Sequence, residues 1–141
     1  MRILSLSAPL LLAATALAQT GIAFTPFGRP CGCDLAGSAV RTATGPVLRF
    51  DVTNAAPSSI AVLVLGQLAG TPFPLPGTNC LLLVQPRATL LQQVDVNGAA
   101  AFRFPLPPIA PLSVDFQAVT IALSRNGRTA ESSNGVNLTV R

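Results

Sequence analysis

The chain has 141 residues, half of them hydrophobic and only 10% charged, which fits one folded domain and is too apolar for an intrinsically disordered chain. Its nine basic residues are all arginine and set a net charge of +4, but they are scattered from Arg2 to Arg141. Neither a basic stripe nor stacking aromatics accompany them, which argues against a nucleic-acid partner, and the absence of Lys, His, Tyr and Trp removes His-based triads, His metal sites and Schiff-base lysines.

Met1-Arg2 is followed by an apolar run from Ile3 to Leu17 and by the small-x-small site Ala16-Leu17-Ala18. A basic start, a short apolar core and such a site predict a secretory signal peptide over residues 1–18, cleaved before Gln19. The run is too short and too rich in Ala and Thr for a membrane span. The apolar stretches after residue 20 are interrupted by Pro, Gly or charge, so no span is expected there. Residues 19–30 form a lead, and residues 31–141 are the expected domain.

An exported chain meets an oxidising compartment, where two of Cys31, Cys33 and Cys80 should pair. Neighbours two apart make a strained bridge, so Cys80 is the expected partner of one of them. Cys33–Cys80 is preferred, because Gly32 and Asn79 put turn formers beside those two cysteines; Cys31–Cys80 is the alternative.

Beyond the cysteines the chain reads as short strands between turn signals. Leu48, Phe50 and Val52 alternate with Arg49 and Asp51, the pattern of a half-buried strand over 47–53. The loop 54–59 leads to Ile60–Leu65, apolar on both faces as a central strand would be. Pro72, Pro74 and Pro76 mark 66–77 as an extended connection. Leu81–Val84 and Leu90–Val96 are two further strands, and Asn97-Gly98 predicts a hairpin returning through Ala99–Pro105. A second Pro-rich connection, 105–111, leads to a strand over 113–123; Asn126-Gly127 turns the chain, and Val136, Leu138 and Val140 alternate in the last strand. Seven to eight strands without helical periodicity predict an all-β fold, an antiparallel two-sheet sandwich of immunoglobulin-like or jelly-roll-like type. Prolines at the sheet edges are expected to protect them from aggregation.

Gly32-Cys33, Leu75-Pro76-Gly77 with Asn79-Cys80-Leu81, Val96-Asn97-Gly98-Ala99, Phe116-Gln117-Ala118 and Ser133-Asn134-Gly135-Val136 occur in one order. Together, over roughly residues 27–141, they resemble the secreted β-sandwich modules that recur in exported planctomycete-type bacterial proteins. The resemblance implies a sandwich fold and an extracellular or cell-envelope location, and brings no activity with it. The chain departs from the family's usual Gly-Cys start in carrying Arg29-Pro30 and Cys31, so the partner of Cys80 stays open between Cys33 and Cys31.

Five acids remain for chemistry: Asp34, Asp51, Asp95, Asp115 and Glu131. A pair of them could serve glycoside hydrolysis only in a shared cleft, and none lies in a recognisable motif. Asp95-Val96-Asn97-Gly98 resembles the opening of a calcium loop, but Leu106 stands where the bidentate Glu belongs, so the turn reading is preferred. No catalytic residue, metal or cofactor is therefore expected. The expected function is non-catalytic: a structural, adhesive or protein-interaction module whose partner is another extracellular or cell-envelope protein. The alternative is a glycan- or small-ligand-binding module with a pocket lined by Phe73, Phe102 or Phe104.

Overall fold

The structure, a computed structural model, describes residues 21–106 and 111–141. The expected signal peptide, 1–18, lies outside the described residues, as does part of the second Pro-rich connection. Eight strands follow in order: β1 (Ile22–Phe27), β2 (Asp34–Thr42), β3 (Gly45–Thr53), β4 (Ile60–Pro74), β5 (Leu81–Gln93), β6 (Ala100–Pro105), β7 (Leu112–Ser124) and β8 (Gly127–Val140). They form two antiparallel sheets, one of five strands in the order β1-β8-β7-β4-β5 and one of three in the order β2-β3-β6. The all-β, two-sheet reading of the sequence is what the structure shows.

The two sheets close on each other because each has one apolar face. Leu48, Phe50 and Val52 of β3 and Phe102 of β6 meet Ala61 and Leu63 of β4, Phe116 and Ala118 of β7, and Val136 and Leu138 of β8 in a single buried cluster. Phe50 is at its centre and fully buried. It stacks on Phe116 across the sheets at 4.1 Å between centroids, on Phe104 at 5.8 Å, and meets the Phe24 edge at 5.8 Å. Offset and edge-on aromatic contacts of this kind add about 0.5–1.5 kcal/mol each to their area burial. As its sequence requires, β4 is inside its sheet, between β7 and β5, and buried on both faces. Ala61 and Leu63 enter the main core, while Val64 joins Val84 and Val119 in a second cluster on the outer face of the large sheet.

Three expectations are corrected. The Asn97-Gly98 turn forms, but it does not close a hairpin, because β5 pairs with β4 and β6 pairs with β3. Asp95 N–H donates to the Ala99 carbonyl at 2.9 Å, and the chain then diverges into the two sheets. The main-chain turn is the same for a hairpin and for a connection between sheets; Phe102 entering the core opposite Phe50 decides between them. The segment 66–77 is not merely a connection either. β4 runs on to Pro74, and its end pairs with Leu81–Val84, with irregular register after Leu65 and after Leu68. Beyond Gly66 it has no pairing with β7, so the prolines cost no ladder bond on that side. Finally, the two expected strands 81–84 and 90–96 are one, β5, with Pro86 accommodated at the irregularity. Residues 22–27, within the expected lead, form β1 on the edge of the large sheet.

Phe50→Ala removes the ring on which the sheets meet. It is expected to cost about 3–5 kcal/mol in chemical denaturation. Val40→Ala, at a site 53% exposed, should change stability by less than about 0.5 kcal/mol.

Candidate functional site

The cysteines are sorted by one glycine. The disulfide joins Cys31 to Cys80, with Cα atoms 5.6 Å apart, so the preferred Cys33–Cys80 pairing is replaced by its alternative. Gly32 has φ +105°, a conformation that side chains rarely adopt, and its missing Cβ leaves room for the Glu131 side chain. The reversal puts the two neighbours in different places. Cys31 bridges to Ser132 of β8, its N–H donating to the Ser132 carbonyl at 2.7 Å and its carbonyl accepting from the Ser132 N–H at 3.1 Å. Cys33 is free, 1% exposed, and belongs to the core between the sheets. Burial pushes its thiol up from 9.0 to about 11; the Thr120 hydroxyl opposes this, and the Glu131 and Asp34 carboxylates add to it.

Across the outer face of the large sheet, the start of β5 is tied down by Gln117. This side chain is fully buried. Its Oε1 accepts from the Leu83 N–H at 2.7 Å, and its Nε2 donates to the Leu81 carbonyl at 3.0 Å and the Ser133 carbonyl at 2.9 Å. The amide thus does the work of a short strand between β5 and the β7–β8 pair. Asn134 makes a similar link at the corner of the sandwich, where its side chain exchanges two 3.0 Å bonds with the backbone of Leu35 in β2. Sequence reasoning found Gln117 and Asn134 only as parts of motifs. The one local signal was a polar residue at Gln117, between Phe116 and Ala118 in an apolar strand.

The acids are mostly bound to structural neighbours. Asp51 pairs with Arg49 at 2.9 Å, Asp34 accepts from Asn54, and Asp115 holds the Leu68 N–H and the Asn137 side chain, each at 2.8 Å. Asp95 Oδ1 accepts from the N–H groups of Asn97 and Ala99 at 2.8 and 2.9 Å, which accounts for the calcium-like spelling as a turn. Asp51 and Asp95 both line an open groove of about 550 Å³ beside Gln92 and Gln93. Among the described residues, no group of three His, Cys, Asp or Glu is arranged to hold a metal ion. Phe73, Phe102 and Phe104 are not brought together at a pocket. Phe102 is buried in the core, Phe104 packs against it, and Phe73 is exposed near the end of β4.

The most exposed secondary structure is the second half of β5. β5 is the last strand of the large sheet, and its residues 85–93 are all exposed. Leu90 lies opposite Leu63 of the inner face and Leu91 opposite Val62 of the outer face, so apolar side chains are bare on both sides of the strand. The other edges are short or covered: β1 and β6 have six residues each and carry Pro26 and Pro105, and β2 is tied at Leu35 by Asn134. Alternation sets which groups of β5 are free. Val94 N–H donates to the Ser59 carbonyl on the β4 side at 2.9 Å, so the backbone of Leu90 and Gln92 faces β4 and that of Thr89, Leu91 and Gln93 faces away. A free strand edge of this kind is a template for pairing.

Comparison with known protein families, with curated proteins and with solved structures finds no match.

Gln117→Ala strands one N–H and two carbonyls. It should cost on the order of 3 kcal/mol and speed hydrogen exchange at Leu83. Cys33 should resist iodoacetamide in the folded chain and react once unfolded. Because its folded pKa is raised, its contribution to stability is fully present below pH 9.0 and lost as pH rises through about 11; denaturation midpoints against pH, compared with Cys33→Ala, measure this.

Proposed function

We propose that this chain is an exported, non-catalytic β-sandwich module that acts by protein–protein contact, in a structural or adhesive role at the cell envelope or outside the cell. The observation that carries the reading is the bare half of β5, with outward-facing backbone and Leu90 and Leu91 exposed on opposite faces. Pro86, Arg87 and the register shift beside them blunt the start of this edge, while residues 88–93 leave a free ladder with Leu90 and Leu91 bare, a surface suited to contact. The disulfide supports the location, since such bonds persist in oxidising compartments. The basic, apolar start of the chain supports an export signal.

A photo-crosslinking residue placed at Leu91 in the exporting cell should capture a protein neighbour, and one placed at Val40, exposed on β2 of the other sheet, should not. Thr89→Pro removes an N–H that faces away from β4, so it should abolish the crosslink with stability unchanged to within about 0.5 kcal/mol. A chain found free and monomeric, with no crosslink from Leu91, would overturn the reading.

A further inference from the structure

We propose that Asn126 is a site of spontaneous covalent modification, where the Gly127 backbone nitrogen closes on the asparagine side chain, expels ammonia and leaves aspartate or isoaspartate at the tip of the β7–β8 hairpin. Asparagine followed by glycine is prone to this chemistry, because glycine has no side chain to hinder the attacking nitrogen and lets the backbone turn into the attack geometry. The chain carries three such dipeptides, Asn97-Gly98, Asn126-Gly127 and Asn134-Gly135. The fold protects two of them and leaves the third open.

Gly98 is buried, its N–H donates to the Asp95 carbonyl at 3.1 Å, and its carbonyl accepts from the Ala55 N–H at 3.0 Å. Asn134 has its side-chain amide occupied by the two 3.0 Å bonds to Leu35, and Gly135 is buried between its ladder partners Phe27 of β1 and Gln117 of β7. Ring closure at either place must first break packing and hydrogen bonds. Around Asn126 the situation is reversed. Residues 123–129 are all exposed. Asn126 lies in the two-residue turn closed by Ser124 and Gly127, the terminal pair of the β7–β8 ladder, and the last rung of a hairpin opens most readily. Its backbone N–H donates to the exposed Ser124 hydroxyl at 3.3 Å, and its side-chain amide has no hydrogen-bond partner among the described residues. A Cβ placed on Gly127 would meet nothing within 4 Å, so open space surrounds the attacking residue. Arg125 and Arg128 flank the dipeptide, and their positive charges favour the deprotonated peptide nitrogen that makes the attack.

The step balances with water alone. Hydroxide takes the proton of the Gly127 nitrogen, which then bonds to Cγ of Asn126. The Cγ–Nδ2 bond breaks, and Nδ2 takes a proton from water and leaves as ammonia. Water adds to one carbonyl carbon of the resulting succinimide. Opening at Cγ gives aspartate in an unchanged backbone; opening at the main-chain carbonyl gives isoaspartate, with the chain rerouted through the side-chain carbon. Either product sets a new carboxylate between Arg125 and Arg128, and isoaspartate lengthens the turn and disturbs the Ser124–Gly127 rung.

The folded, disulfide-bonded chain, incubated at mildly alkaline pH and mapped by mass spectrometry, should show amide-to-acid conversion at Asn126 about tenfold or more faster than at Asn97 and Asn134. In urea the three rates should converge, since the discrimination comes from the fold. Conversion at Asn126 should accelerate as pH rises, and isoaspartate should be detected there by enzymatic methylation. Asn126→Gln, which needs a larger ring, should lose the signal at this position while Asn97 and Asn134 keep their rates. Hydrogen exchange in the modified chain should quicken at the hairpin tip and stay unchanged at Leu83. An Asn126 that survives in the folded chain as long as Asn97 and Asn134 overturns the proposal, and so does a rate order that stays the same in urea.

Discussion

The side-chain amide of Gln117 joins backbone segments that no ladder joins. A two-sheet sandwich needs only its inner faces covered, yet Val64, Val84 and Val119 are buried on the outer face of the larger sheet. They are buried because the start of β5 folds over that face, and it is held there by the three hydrogen bonds of Gln117. Such an amide is costly to bury unless every polar atom finds a partner. Here all do, and among the described residues no buried side-chain nitrogen or oxygen lacks one. The Cys31–Cys80 bond fixes the same region covalently, closing a loop that the chain-entropy argument values at about 4 kcal/mol.

That anchoring divides β5 into two halves with different fates. Leu81–Val84 are committed to the fold, packed and hydrogen-bonded from below by β7. Residues 85–93 have β4 as their ladder partner, and Gln92 and Gln93 come near the three-stranded sheet across the groove they share with Asp51 and Ala101. The molecule closes its other edges with proline, with brevity or with the Asn134 amide. On β5, Pro86 and Arg87 do the same at one end, and residues 88–93 are the stretch left unprotected, which is where an edge can associate.

How far the fold was legible follows from which of its determinants are local. The alternation of Leu48, Phe50 and Val52 and the two-faced apolar run Ile60–Leu65 are period-two signals, and each strand is buried as its pattern requires. Turn position was legible for the same reason, since Asn97-Gly98 supplies the needed dihedral freedom wherever the flanking strands go. Their partners were not, because sheet membership is settled by distant packing, here Phe102 and Phe104 against Phe50. The prolines of 66–77 misled in a related way: they forbid a central strand, and the end of β4 is not central. β1 and β2 are poor in bulky alternating residues and gave little to read. At the level of the site, Leu90 and Leu91 read from sequence only as part of a strand; Leu90, on the inner face, is exposed because the second sheet is the narrower one, and Leu91 is on the outer face, which that sheet does not cover.

The left-handed backbone at Gly32 has one more consequence, for how the chain matures. Two thiols a single residue apart compete for one acceptor, and an oxidant cannot tell them apart while the segment is loose. Once β8 has captured Cys31 through Ser132, Cys33 is committed to the opposite side of the wall, beyond contact with Cys80. In the folded chain the sheet therefore admits one isomer, Cys31–Cys80, and leaves Cys33 a thiol.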